Sequence, residues 1–137
     1  MTIELIVAAI GGLLVLLSVG FFIYRKMPHR LKTNKFTLKW KRLQEYCKDK
    51  NTWSNALIDA DKLLEKALRM RKYKGKSVGE MMVSAQKVFT DNDGIWFAHN
   101  LYKKVLSGEV KRIREEDIKE ALVAYRQALR DLGALRQ

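Results

Sequence analysis

Histidine, cysteine and closely spaced carboxylates are the groups through which this chain could do chemistry, and they are few. The histidines are His29 and His99. Neither has a cysteine or a second histidine at ligand spacing, so no metal site is predicted. His29 falls in a basic stretch and reads as solvated. His99 has Trp96 and Lys103 at helical spacing and reads as a hydrogen-bonded structural histidine rather than an acid–base catalyst. Cys47 is the sole cysteine, which excludes a disulfide within the chain, and its apolar face suits a small core filler. Asp59 and Asp61 are two positions apart, so on a helix they point in different directions and form no acid–base pair. Gly75-Lys76-Ser77 lacks the earlier glycine and the preceding strand of a phosphate-binding loop. Asp91-Asn92-Asp93-Gly94 lacks the later carboxylates of a calcium loop and reads as a turn with a helix cap. No nucleophile elbow is present. The sequence therefore predicts a protein that is not an enzyme, takes no cofactor and has no small-molecule substrate.

What remains is charge. The 137 residues carry a net charge of +12, which points to acidic lipid headgroups, nucleic acid or an acidic protein as partner. Arg25, Lys26, Arg30, Lys32, Lys35 and Lys39 follow an uncharged run from Leu5 to Tyr24 and are the predicted contacts to anionic lipid. Lys66, Arg69, Arg71, Lys72, Lys74 and Lys76, with Tyr73 among them, form a candidate basic surface for a partner. Lys103, Lys104, Lys111, Arg112 and Arg114 form a further cluster. Solvated charge or lipid contact is the first reading of these groups, an acidic protein partner the second, and nucleic acid the third.

The elements that position these charges begin with the apolar run. At ~1.5 Å per residue it spans ~30 Å, the thickness of a bilayer's hydrocarbon core. It is apolar on every face, unlike a surface helix. Met1-Thr2-Ile3-Glu4 carries an acid and no base, and no Ala-x-Ala follows the run, so a retained anchor is predicted rather than a signal peptide. A pilin-like start is set aside because no basic leader precedes it. Ala8 and Gly12 have small-xxx-small spacing, a weak signal for helix pairing. Basic residues follow the span and none precedes it, which predicts the N-terminus outside and the remainder in the cytoplasm.

The division expected is a transmembrane helix over 1–24, a basic linker over 25–35 and a helical domain over 36–137. Pro28 breaks the anchor helix. Phe36, Trp40, Leu43 and Cys47 predict a helix over 37–49. Thr52 reads as the N-cap of a second helix with Trp53, Ala56, Leu57, Ala60, Leu63, Leu64, Ala67 and Leu68 inward, and with Asp59, Asp61 and Glu65 beside or away from that stripe. Ser77-Val78-Gly79-Glu80 has the form of a capping box, opening a third helix with Met81, Met82, Ala85, Val88 and Phe89 inside. A fourth over 93–106 turns Ile95, Trp96, His99, Tyr102, Val105 and Leu106 to one side. The last opens with Glu115, Glu116 and Asp117, buries Ile118, Ala121, Leu122, Tyr125, Ala128, Leu129 and Leu132, and stops at Gly133. Short connections predict an all-α, up-down bundle of four to five helices.

Four segments carry a resemblance: Trp53 through Leu68, Gly75 through Glu80, Trp96 through Leu101, and Ala128 through Leu135. Together they resemble a family of bacterial membrane-anchored proteins with a HEPN-type helical domain. The resemblance implies a HEPN-like bundle on the bacterial cytoplasmic membrane, commonly self-associated. HEPN ribonucleases use an Arg and a His a few positions apart. Here Tyr102, Lys103 and Ser107 stand where the Arg, an Asn and the second His would be. A phenol cannot hold phosphate as a guanidinium fork does, and a hydroxyl does not exchange protons near neutral pH. The function expected is a membrane-anchored interaction or scaffold module without catalytic activity, self-associated or within a protein complex. The alternative is a membrane-tethered RNA-binding domain that has lost its nuclease residues.

Overall fold

The computed structural model describes residues 2–27 and 30–136. Pro28 and His29 lie outside the described residues, and so does the side chain of Lys26. All regular structure among the described residues is helical. Helix α1 (Thr2–Lys26) contains the one candidate membrane span among the described residues, Thr2–Arg25, and none of it is buried against the rest of the chain. Its large side chains, from Ile3 to Tyr24, are exposed around the whole circumference.

Helix α2 (Thr33–Glu45) begins within the expected linker, and a helix continuous to Asp49 does not form. Two 3-10 turns, Tyr46–Lys48 and Lys50–Thr52, replace its end. Helix α3 (Trp53–Met70) follows directly. Thr52 does not cap α3 with its side chain; its hydroxyl donates instead to the Tyr46 and Asp49 carbonyls, at 2.6 and 3.0 Å. The hairpin is pinned further by the Trp53 indole N–H, which donates to the Cys47 carbonyl at 2.9 Å. The two helices run antiparallel: Lys66, near the end of α3, lies over the ring of Phe36, near the start of α2, 5.9 Å from its centroid.

Helix α4 (Val78–Ser84) is short. The capping box forms, with the Glu80 amide donating to Ser77 Oγ at 3.2 Å, but the Glu80 carboxylate takes the amide of Lys76, one residue earlier than expected. The helix stops before Val88, which is exposed, while Ala85, in the turn that follows, and Phe89, just beyond it, still pack inward. Asp91 caps α5 (Asn92–Leu106) through Gly94 N–H at 2.9 Å, as the turn reading predicts. Leu106 is exposed rather than inward, and Leu101 takes the buried place. Helix α6 (Glu115–Asp131) lies antiparallel to α5, since Asp131 at its end accepts the Thr90 amide just before α5 begins.

Helix α3 sits at the centre and touches α2, α4, α5 and α6. Its Ala56, Leu57, Ala60, Leu64, Ala67 and Leu68 are fully buried, as their spacing predicts. Small alanines on one face of α3 and α6 let neighbouring backbones approach, and Leu, Met and Tyr side chains fill the space between.

Candidate functional site

At the middle of the bundle sits a carboxyl group expected beside or away from the apolar stripe. Asp61 is 1% exposed, so it belongs to the inward face of α3 and not beside it. The reason is that two other helices supply its partners. Asp61 Oδ1 accepts the Tyr125 hydroxyl of α6 at 2.7 Å and meets His99 Nδ1 of α5 at 2.8 Å. A carboxylate only accepts, which puts the imidazole proton on Nδ1. His99 is 7% exposed and Tyr125 is fully buried. The His99 ring stacks on Tyr102, with centroids 5.8 Å apart, and meets Trp96 edge-on at 6.2 Å. Gly79, in the first turn of α4, covers the other nitrogen: a Cβ there would lie 3.9 Å from His99 Nε2. Burial, then the Asp61 charge and the hydrogen bond to it, hold the Tyr125 phenol well above its ordinary pKa. Burial and the same charge raise Tyr102 also.

Asp61 was legible in principle. Leu57, Leu64 and Leu68 stand four before, three after and seven after it, so an acid interrupts an apolar stripe. Its partners were not legible, because they lie 38 and 64 residues away in sequence. His99 is hydrogen-bonded, as its helical neighbours suggest.

The cationic residues form several separate surfaces. Antiparallel packing of α2 on α3 brings Lys39, a predicted lipid contact, against Lys66 of the predicted partner surface. The hydrogen bond and charge of Lys39, ahead of burial, lower the pKa of Lys66. With Arg42 and Lys62 they line a groove of about 380 Å³ in which Asp59 is the one carboxylate. The other members of the second group stay at the end of α3. Arg69 pairs with Glu65 at 2.8 Å. Arg71 caps the helix, Lys72 takes the left-handed position after it with φ 63°, and Arg69, Lys72, Lys74 and Lys76 surround Tyr73 in a shallow depression. Of the predicted lipid contacts, Arg25, in the last turn of α1, lies over Phe21 at 5.8 Å, and Arg30, Lys32 and Lys35, beyond the helix, line one local hollow.

The third group divides. Lys103 and Lys104 end α5. Lys111, Arg112 and Arg114 join Lys50, which sequence spacing did not single out, around a cleft of about 620 Å³ with Trp53 in its wall. The hairpin between α2 and α3 carries Lys50 there, so only the fold makes it a neighbour of residue 111. Among the described residues no cluster of three His, Cys, Asp or Glu side chains has the arrangement of a metal site. The chain matches no protein-family model, no curated protein and no solved structure.

Proposed function

We propose that this protein is a single-pass membrane protein that presents a basic helical bundle at the cytoplasmic face, as a non-catalytic interaction or scaffold module. The observation that carries the reading is α1. It is long and apolar enough to cross a bilayer, and no part of it is buried in the remainder of the chain. About 20 exposed apolar residues in water are costly, at ~25 cal/mol per Å² of apolar surface, and a bilayer removes that cost. The cations that follow α1 set the orientation, and the Lys39–Lys66 groove adds positive charge on α2, the first helix after the anchor. Contact with anionic headgroups contributes about 1 kcal/mol for each Lys or Arg near the surface. Assembly with a second copy or with an acidic protein belongs to the same reading.

The experiment is alkaline carbonate extraction of membranes containing the full chain, combined with protease treatment of spheroplasts. Retention in the pellet and an intact bundle are the results expected. Recovery in the supernatant, or external digestion of the bundle, would refute the anchor or its orientation respectively.

A second reading, a tethered RNA-binding domain, draws on the cleft that gathers Lys50, Lys111, Arg112 and Arg114 beside Trp53. Cations with an aromatic wall suit a phosphate backbone and a stacked base. RNA titration of the full chain at two salt concentrations tests it, with salt-dependent binding expected and salt-independent or absent binding against it.

A further inference from the structure

We propose that the cavity between α2 and α6 is a binding site for a phosphate-type oxyanion, with the Trp40 indole N–H and the Arg130 Nε–H as its donors. The cavity measures about 250 Å³, and both residues line it together with Lys41, Arg126 and Arg136. That is below the ~300–1,000 Å³ of drug-sized pockets and suits a single compact anion. Two observations converge on it.

The first is a pair of unmet donors. Trp40 is 7% exposed, and its Nε1 is buried with no hydrogen-bond partner. Arg130 Nε is buried without a partner as well. An indole N–H and a guanidinium N–H can only donate, and buried donors are nearly always satisfied, so both call for an acceptor with which no described residue pairs them. The second observation is the charge. Among the described residues, Lys41, Arg126, Arg130 and Arg136 make no ion pair and no carboxylate lines the cavity. Asp131, next to Arg130 in sequence, is bonded elsewhere, with Thr90 on one oxygen and Gln127 on the other. A water molecule would satisfy the donors but bring no negative charge to the four cations around them. An oxyanion satisfies both, and guanidinium forks match its geometry.

The phosphate can be that of an acidic lipid headgroup or a free phosphate in solution. This proposal stands on α2, α6 and the segment that follows α6, and survives failure of the membrane reading, because the free ion needs no bilayer.

The full chain is placed in nanodiscs, and its three indole N–H signals are followed by NMR, with Trp40 identified by Trp40→Phe. Trp53 is the internal reference, since its N–H is already bonded to the Cys47 carbonyl. In phosphatidylcholine discs, inorganic phosphate is titrated at constant ionic strength. In phosphatidylglycerol discs no phosphate is added. A saturable shift of Trp40 alone in the first arm assigns the free ion, and a shift of Trp40 alone in the second assigns the headgroup. Arg126→Gln/Arg136→Gln, two exposed positions, is expected to weaken the response about tenfold, equivalent to ~1.4 kcal/mol. A Trp40 signal unmoved in both arms, equal movement of Trp40 and Trp53, or an undiminished response in the double variant would each overturn the site.

Discussion

The interior of the bundle and its surface treat charge in opposite ways. Around Asp61 one carboxyl group meets a phenol and an imidazole drawn from two other helices, all within 3 Å and almost without exposure. On the surface the net charge of +12 leaves many cations with no carboxylate to face, and the carboxylate–Lys/Arg pairs that do form join residues three or four apart on one helix or turn. The first arrangement fixes how three helices meet. The second fixes almost nothing about the fold, since exposed pairs of this kind contribute about 0.2–1 kcal/mol each. The difference separates the polar groups that hold this molecule together from those free to meet something else.

Removing Asp61 tests the interior half of the comparison most severely. Asp61→Ala strands the His99 Nδ1–H and the Tyr125 hydroxyl and opens a cavity, so a loss of about 3 kcal/mol or more is expected. Urea unfolding in detergent micelles, followed by circular dichroism, measures it. The triple variant Asp61→Leu/His99→Leu/Tyr125→Phe leaves no donor unmet and is expected to recover part of that loss. If the single and triple variants lost the same stability, packing and not hydrogen bonding would be what Asp61 supplies.

Tyr125→Phe keeps the ring and removes one donor, for an expected loss of about 2 kcal/mol at neutral pH. The phenol's folded pKa lies above its ordinary value, so the neutral form is the one the fold favours. Its contribution is complete below about pH 10, where the unfolded phenol begins to ionise, and declines as the pH rises towards the folded value. The stability gap between wild type and variant should therefore narrow above pH 10. A gap that stayed constant to pH 11 would mean that Tyr125 ionises alike in both states.

How far the sequence announced this arrangement differs by region. The apolar faces of α3 and α6 were plain, because Leu and Ala at three- and four-residue spacing have few other uses. The cap at Asp91 and the stop at Gly133 were equally plain, since short side chains and glycine meet specific backbone needs there. Boundaries failed where long-range packing overrode local preference. Residues 85–88 read as helix but form turns, and Thr33 to Lys35 read as linker but extend α2. The pairing of Lys39 with Lys66, and of Trp40 with Arg130 around one cavity, depends on which helices become neighbours, and one-dimensional spacing carries none of that.

Two helix ends offer a smaller test on the surface side. Both α3 and α6 close with the same pair of hydrogen bonds, Tyr73 N–H to the Leu68 carbonyl with Lys72 N–H to Arg69, and Ala134 N–H to Leu129 with Gly133 N–H to Arg130. The left-handed position between them is glycine in α6 but lysine in α3, at φ 81° and 63°. A side chain in that region costs roughly 1 kcal/mol. Lys72→Gly should raise stability by about that amount in the same urea assay, because the relief of backbone strain outweighs any loss of surface charge. No gain would mean that the ammonium group of Lys72 contributes as much as its backbone costs.

The smallest expected effect is the most telling for the comparison. Arg126→Gln/Arg136→Gln removes two cations whose side chains form no ion pair among the described residues, so stability should change by no more than about 0.5 kcal/mol. The direction should be upward at low ionic strength, since four like charges line one cavity with no carboxylate among the described residues beside them, and the gain should vanish at high salt. A loss above about 1 kcal/mol in phosphate-free buffer would place these arginines with Asp61, as groups on which the fold depends. A neutral or positive change, joined to the loss of the Trp40 response to phosphate, would mark them as charges held apart from the fold for a ligand.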